Sequence, residues 1–160
     1  MKHNKELSIT IGGSRKETNW KPQRIMWQEF VERLRTPVES EETQEEYNRL
    51  TKAQQDDLKD VGGFVGGLLN GSRRKSGSVK SRCLITLDMD NIPAGSTEDV
   101  LKRVNGLECA FVVYSTRKHE GAAPRLRVIF PTDRELVPDE YEPIARKIAS
   151  LIGIDQCDPT

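Results

Sequence analysis

The sequence contains little cysteine and no long hydrophobic run. Its three cysteines are odd in number and form no CxxC pair, a pattern that indicates a reducing, cytosolic environment without disulfide bonds. The opening residues MKHNKELSITIGG carry no apolar segment of the kind found in a signal peptide. The longest apolar runs are far too short to cross a bilayer. We therefore expect a cytoplasmic protein with no membrane partner.

The sequence also lacks a net charge. Its 25 basic and 25 acidic residues cancel, so no overall attraction to nucleic acid or membrane is expected. Local charge is less even, with an acidic cluster at residues 39–46 and a basic segment at residues 73–82. Four residues of the basic segment are candidates for nucleic-acid binding, namely Arg73, Arg74, Lys75 and Lys80. They can follow a phosphate backbone, or they can belong to a solvated loop.

The first half of the chain shows mixed patterns. Residues 7–11 alternate and predict a short strand, and apolar residues at helical spacing predict a helix that starts near Pro22 and ends at Pro37. Residues 41–59 are polar and predict at best a weakly anchored, solvated helix. Residues 61–71 contain five glycines, which makes them poor material for either a helix or a strand.

The second half is more regular and predicts strand, helix, strand, strand, helix. The strands are expected at 83–87, 109–114 and 126–130, with Pro131 ending the third, and the helices at 96–104 and 138–153. This order predicts an α+β fold with a ferredoxin-like or RRM-like βαββα core, an N-terminal strand and a helical arm. One more strand would complete that pattern, so the sheet is expected to be incomplete at the C-terminus. We expect residues 1–80 to pack as an N-terminal unit on a core of residues 81–160.

An aspartate pair ends the first strand of this core, in the stretch LITLDMDN. Asp88 and Asp90 should project from the same face of the strand, where two carboxylates repel each other unless a positive group lies beside them. Hard cations such as Mg²⁺ prefer oxygen ligands, and two carboxylates with a third would suit a two-metal phosphoryl-transfer site. The alternative is a pair of solvated acids that cap the strand or lead into a turn.

An arginine pair lies on the third predicted strand. Arg125 and Arg127 alternate with apolar residues and should share one face. Two arginines are costly to bury without an anion, and their planar guanidinium groups suit phosphate. In a βαββ unit the first strand can lie beside the third, which would bring this pair close to Asp88 and Asp90. The alternative is an ordinary hairpin with a solvated basic face.

Two further groups of residues could complete such a site. Ser115, Arg117 and His119 follow the second predicted strand, although His119 could equally be a surface loop residue. Asp155 and Asp158 follow the last helix and could add a carboxylate, or they could belong to a plain turn.

Together these motifs resemble the archaeo-eukaryotic primase superfamily, in particular the primase-polymerase domains of phage and mobile-element replication proteins. That family has an apolar strand that ends in DxD, a strand that leads to a Ser-x-His motif, and an apolar residue followed by Asp. LITLDMD, YSTRKH and CDPT supply the three motifs here. One departure is that Arg117 stands at the histidine position, with His119 two residues later.

The resemblance implies template-directed nucleotidyl transfer, in which a 3′-hydroxyl attacks the α-phosphate of a nucleotide. Asp88, Asp90 and Asp158 would be catalytic and would ligate two Mg²⁺ or Mn²⁺ ions, with Asp155 as the fallback for the third position. The residues expected to hold nucleotide phosphates are Ser115, Arg117, His119, Arg125 and Arg127. The implied partners are a single-stranded DNA template, nucleotides and a helicase domain, in the cytosol of the host cell.

Two other functions remain open, so the sequence does not decide whether the chain is an enzyme. A catalytically inactive, truncated primase-like protein could bind a host or defence protein as an inhibitor, and its acidic cluster could then mimic nucleic-acid charge. A metal-dependent nuclease would use the same two-metal chemistry.

Overall fold

The computed structural model describes residues 4–158 and shows a mixed α and β architecture. In this part of the chain, five α-helices accompany two antiparallel sheets, one of three strands and one of four. The predicted α+β fold class is therefore confirmed. No helix within residues 4–158 is long and apolar enough to span a bilayer.

The elements follow one another along the chain in a β-rich order. The strands are β1 (Glu6–Gly12), β2 (Lys21–Met26), β3 (Gly63–Val65), β4 (Gly67–Leu69), β5 (Val79–Met89), β6 (Val112–Ser115) and β7 (Leu126–Leu136). The helices are α1 (Trp27–Arg35), α2 (Gln44–Arg49), α3 (Lys52–Leu58), α4 (Thr97–Asn105) and α5 (Pro138–Ile152), followed by a 3₁₀-helix at Ile154–Gln156. The strand order is β2-β1-β3 in the first sheet and β4-β5-β7-β6 in the second.

The second sheet contains the predicted βαββα unit as β5, α4, β6, β7 and α5. β5 pairs with β7 and β7 pairs with β6, both antiparallel, so the first strand of the unit neighbours the third, as the topology predicted. The other edge of β5 pairs with β4, where Gly67 lies opposite Arg82. This edge of the sheet is therefore occupied by a strand that precedes the unit in the chain.

Each face of the second sheet packs against a different layer. On one face, Leu87 of β5 and Val128 of β7 are buried in a core that includes Ala145 of α5. On the other face, Leu84 and Ile129 are buried against β1 and α1. The alternation along β5 and β7 therefore divides their side chains between two cores.

Most of the predicted element positions are confirmed, with changes at their boundaries. The strand predicted at 7–11 lies within β1, and the helices predicted from 96 and 138 are α4 and α5. The strand predicted at 83–87 is longer in the structure and runs from Val79 to Met89. The strand predicted at 109–114 is shorter at its start, because β6 begins at Val112.

Two prolines do not act as predicted. Pro22 lies in β2, and the helix begins only at Trp27. Pro131 lies within β7 opposite Leu84, and β7 continues beyond it. The physical reason is that a proline without an N–H group is tolerated on an edge strand such as β2 or at an irregularity such as the one between Arg82 and Leu84.

The polar segment 41–59 is better anchored than predicted. It forms the two short helices α2 and α3, and each starts with a threonine whose hydroxyl accepts a hydrogen bond from the first turn. Tyr47 of α2 is completely buried. One aromatic residue therefore fixes a segment whose composition predicted a solvated helix.

The glycine-rich segment forms β3 and β4, contrary to the prediction. A Cβ atom at Gly67 would lie 1.8 Å from the carbonyl oxygen of Ser81, and one at Gly66 would lie 2.7 Å from the Cβ of Leu84. The glycines allow this backbone to approach β5 more closely than any side chain would permit. Close packing of neighbouring strands therefore outweighs the low strand propensity of glycine.

We expect Gly67→Ala to lower the free energy of unfolding by at least about 2 kcal/mol, because the added methyl group meets a backbone atom that cannot rotate away. Gly121→Ala is the matched control, since a Cβ atom there has no neighbour within 4 Å, and it should change stability by less than about 0.5 kcal/mol. Urea unfolding followed by circular dichroism measures both values. Equal stability of the two variants would contradict the packing argument.

Candidate functional site

A cleft of about 950 Å³ opens between the second sheet and the chain segments at 36–40 and 59–64. Its sheet side is formed by the carboxyl end of β5, the end of β6 and the start of β7. The polar residues that line this side are Asp88, Asp90, Tyr114, Ser115, Arg125 and Arg127. Five of these six residues are predicted site residues; Tyr114 is the exception.

Asp88 and Arg127 form a two-bond ion pair on this side of the cleft. They lie directly opposite each other in the ladder between β5 and β7. The Nε atom of Arg127 donates to Oδ1 of Asp88 at 2.5 Å, and its Nη2 atom donates to Oδ2 at 3.1 Å. This is the geometry in which a planar guanidinium group binds a carboxylate most strongly.

Asp90 and Arg125 form a second ion pair beside the first. Nη1 of Arg125 donates to Oδ2 of Asp90 at 2.6 Å. All four side chains of the two pairs are between 28% and 38% exposed, so water still reaches them. The positive group that the aspartate pair required is therefore the arginine pair, as the predicted strand neighbours suggested.

Tyr114 of β6 also contacts the first pair. Nη1 of Arg127 lies 3.4 Å from the hydroxyl oxygen of Tyr114, to which it donates. Burial lowers the pKa of Arg127, but the hydrogen bond to Asp88 and the nearby phenol of Tyr114 raise it by more, so the net pKa lies above its ordinary value. Arg127 therefore remains charged and keeps Asp88 compensated.

The residues after β6 have different roles. Ser115 is exposed at the end of β6, and Arg117 lines the cleft with its guanidinium group 4.7 Å from the ring centre of Tyr47. The Nη2 atom of Arg117 is buried and has no hydrogen-bond partner among residues 4–158. His119 instead stabilises the turn, because its Nδ1 atom lies 3.1 Å from the main-chain nitrogen of Arg125, which donates to it.

The third predicted motif lies beside β5. The main-chain N–H of Asp158 donates to the carbonyl oxygen of Asp88 at 2.8 Å, and that of Asn91 donates to the carbonyl oxygen of Gln156 at 3.2 Å. The chain after α5 therefore runs along the end of the strand that carries both aspartates. Asp155 is exposed in the 3₁₀-helix.

The carboxylates do not fit a resident metal ion in this arrangement. Asp88 and Asp90 are both held by arginines. Between residues 4 and 158, no group of three or more His, Cys, Asp or Glu side chains is placed to hold an ion. Oxygen ligands that are engaged by guanidinium groups are not free to coordinate a cation.

The predicted nucleic-acid-binding residues lie outside the cleft. Arg73, Arg74 and Lys75 are exposed between β4 and β5, and Lys80 is exposed on β5. The guanidinium group of Arg74 lies 5.4 Å from the ring centre of Trp20, which is buried. This surface is therefore separate from the aspartate and arginine pairs.

Sequence reasoning missed several residues of the site, among them Lys59 and Tyr114, which line the cleft, and Tyr47, whose ring lies beside Arg117. Lys59 lines the cleft, and its Nζ atom lies 5.9 Å from the ring centre of Tyr47. The signal that could have identified Tyr47 is that it is the only aromatic residue in the polar segment 41–59. No comparable signal marks Lys59 or Tyr114, because their positions depend on tertiary packing.

In comparisons with known proteins, one family model matches the chain. The family model described as the VapE N-terminal domain matches residues 1–160. No curated protein and no solved structure matches the chain.

We expect a double-mutant cycle of Asp88→Asn and Arg127→Gln to give a coupling energy of about 1 kcal/mol, the upper end for pairs that water still reaches. The exposed pair of Glu45 and Arg49 on α2 is the control and should give about 0.3–0.5 kcal/mol. Urea unfolding measures both cycles. A coupling energy for Asp88 and Arg127 no larger than that of the control would show that the two-bond geometry does not persist in solution.

Proposed function

Since the chain belongs to the VapE N-terminal domain family, which is associated with replication in phages and mobile elements, we propose that it acts in replication as a primase-polymerase-like domain. Its cleft binds the phosphates of nucleotides and of a single-stranded DNA template. The cleft volume of about 950 Å³ lies within the range of ordinary ligand sites, about 300–1,000 Å³.

The charge of the cleft is the observation that carries this proposal. Six cations line it, namely Arg33, Lys59, Arg117, Lys118, Arg125 and Arg127, against the three carboxylates of Glu39, Asp88 and Asp90. The chain as a whole has no net charge, so the surplus of positive charge is local. A concave surface with such a surplus attracts phosphate groups.

The cations of the cleft also differ in how they are engaged. Arg125 and Arg127 are paired with aspartates. Within the described residues, Arg117 and Lys118 form no ion pair with a carboxylate. The same holds for Arg33 and Lys59, so these four cations are available to a phosphate, and Arg117 and Lys118 are the two that lie next to each other in the chain.

We expect the double variant Arg117→Ala/Lys118→Ala to bind a labelled single-stranded oligonucleotide about tenfold more weakly than the wild type. The slope of log binding constant against log salt concentration should become less steep by about 1.4, since each lost phosphate contact contributes about 0.7 to that slope. The matched control is Arg146→Ala/Lys147→Ala, which removes the same two charges from the exposed side of α5. Fluorescence anisotropy at several salt concentrations measures both. Equal losses in the two variants would refute a binding site in the cleft.

The finer part of the proposal is template-directed nucleotidyl transfer. Two features support it, namely the position of both aspartates at the end of β5 and the position of Asp158 beside Asp88. The arrangement described above does not fit Mg²⁺ or Mn²⁺, so this activity requires the aspartates to leave their arginines. The basic surface of Arg73, Arg74, Lys75 and Lys80 is available to hold the template outside the cleft.

We expect primer extension or primer synthesis on a single-stranded template in the presence of Mn²⁺, and its loss to background in Asp88→Asn/Asp90→Asn. Asp158→Asn should also lose activity, because the main chain of Asp158 is bonded to that of Asp88, whereas Asp155→Asn should retain it, because Asp155 is exposed in the 3₁₀-helix. Denaturing gels of labelled products measure all four proteins. No product from the wild type with either Mg²⁺ or Mn²⁺ would exclude catalysis, and degradation of the DNA would instead identify a nuclease.

A further inference from the structure

We propose that Asp88 and Asp90 act as built-in competitors for phosphate. Each holds an arginine of the cleft, so a ligand must displace a carboxylate before its phosphate can bind that arginine. As a result, the cleft selects ligands that carry several phosphates and rejects a single phosphate. This inference rests on the proposed phosphate-binding function and specifies which residues determine its selectivity.

The geometry of the first pair shows why the aspartate competes directly. Arg127 uses its Nε and Nη2 atoms for the two oxygens of Asp88. A phosphate binds a guanidinium group through the same two parallel hydrogen bonds. The two anions therefore exclude each other at Nε and Nη2 of Arg127. Asp90 occupies one donor atom of Arg125, its Nη1 atom, and a phosphate that uses this atom must displace Asp90.

The pairs are exposed enough to water for a strongly charged ligand to displace them. Both arginine side chains are 34–35% exposed and both aspartates are 28–38% exposed. Ion pairs that water still reaches contribute little to stability, so a strongly charged ligand can replace them. A fully buried pair could not serve this role, because opening it would leave uncompensated charges in the interior.

The spacing of the pairs favours a ligand with several phosphates. Arg125 directly precedes β7 and Arg127 lies within it, and extended backbone separates positions two residues apart by about 7 Å. A ligand with linked phosphates can displace both aspartates in one binding event, whereas a single phosphate must compete with a tethered carboxylate at each arginine. Arg117 and Lys118, which also line the cleft, add further contacts only for the longer ligand.

The test compares inorganic phosphate with inorganic tripolyphosphate, without metal and with a chelator present. Isothermal titration calorimetry measures the affinity of the wild type, Asp88→Asn, Asp90→Asn and Glu39→Gln for both compounds. Glu39 also lines the cleft and forms no ion pair within residues 4–158. Its variant removes the same charge without freeing an arginine. Thermal unfolding of each variant confirms that it is folded.

We expect the wild type to bind tripolyphosphate in strong preference to phosphate. Asp88→Asn and Asp90→Asn should each bind phosphate about fivefold more tightly than the wild type, because the strength of one ion pair of this exposure corresponds to roughly that change in affinity. The preference for tripolyphosphate over phosphate should therefore be smaller in both variants. Glu39→Gln should improve the affinity for phosphate by less than about twofold, because it changes only the long-range electrostatic potential and frees no arginine.

Three results would overturn the inference. In the first, the wild type binds tripolyphosphate, but the affinity for phosphate rises no more in the aspartate variants than in Glu39→Gln. The aspartates are then not competitors, and the proposed binding function still holds. If neither the wild type nor any variant binds either compound or single-stranded DNA, both the proposed function and this inference fail. Weaker binding in the aspartate variants would also exclude competition.

Discussion

The pairing register of β5 with β7 is the constraint on which the rest of the structure depends. It places Leu87 opposite Val128 and Asp88 opposite Arg127. Because side chains alternate along a strand, the first pair of residues faces the core with α5 and the second faces the cleft. A shift of one residue would bury the charges and expose the core, so the hydrophobic core and the site stabilise the same register.

This register also explains the electrostatics of the cleft. Two aspartates and two arginines form ion pairs at the end of β5, while Arg117 and Lys118 have no carboxylate partner in the described part of the chain. The cleft therefore contains both unpaired cations and cations that are engaged in ion pairs. The proposed binding of phosphates depends on this arrangement.

The elements that were predicted correctly are those in which one periodic pattern decides the structure. α4, α5 and the inner part of β5 carry regular apolar spacing, and their burial follows it. The elements that were predicted wrongly depend on a neighbour. Gly67 belongs to a strand because its backbone packs closely against Ser81 of β5. Pro131 belongs to β7 because the ladder with β5 is irregular next to it. Intrinsic propensity cannot report such contacts, because they join residues far apart in sequence.

The sequence by itself determined the α+β class, the order of the βαββα unit, and the presence of Asp88 and Asp90 on the same face as each other at the end of a strand. Alternation and helical spacing are local properties, so the chain alone specifies them. Only the tertiary structure decided that Arg125 and Arg127 hold these aspartates, that β4 pairs with the edge of β5, and that Tyr47 lies under Arg117. Those features arise from pairing and packing between distant segments, and electrostatic interactions depend on the distances that this packing sets.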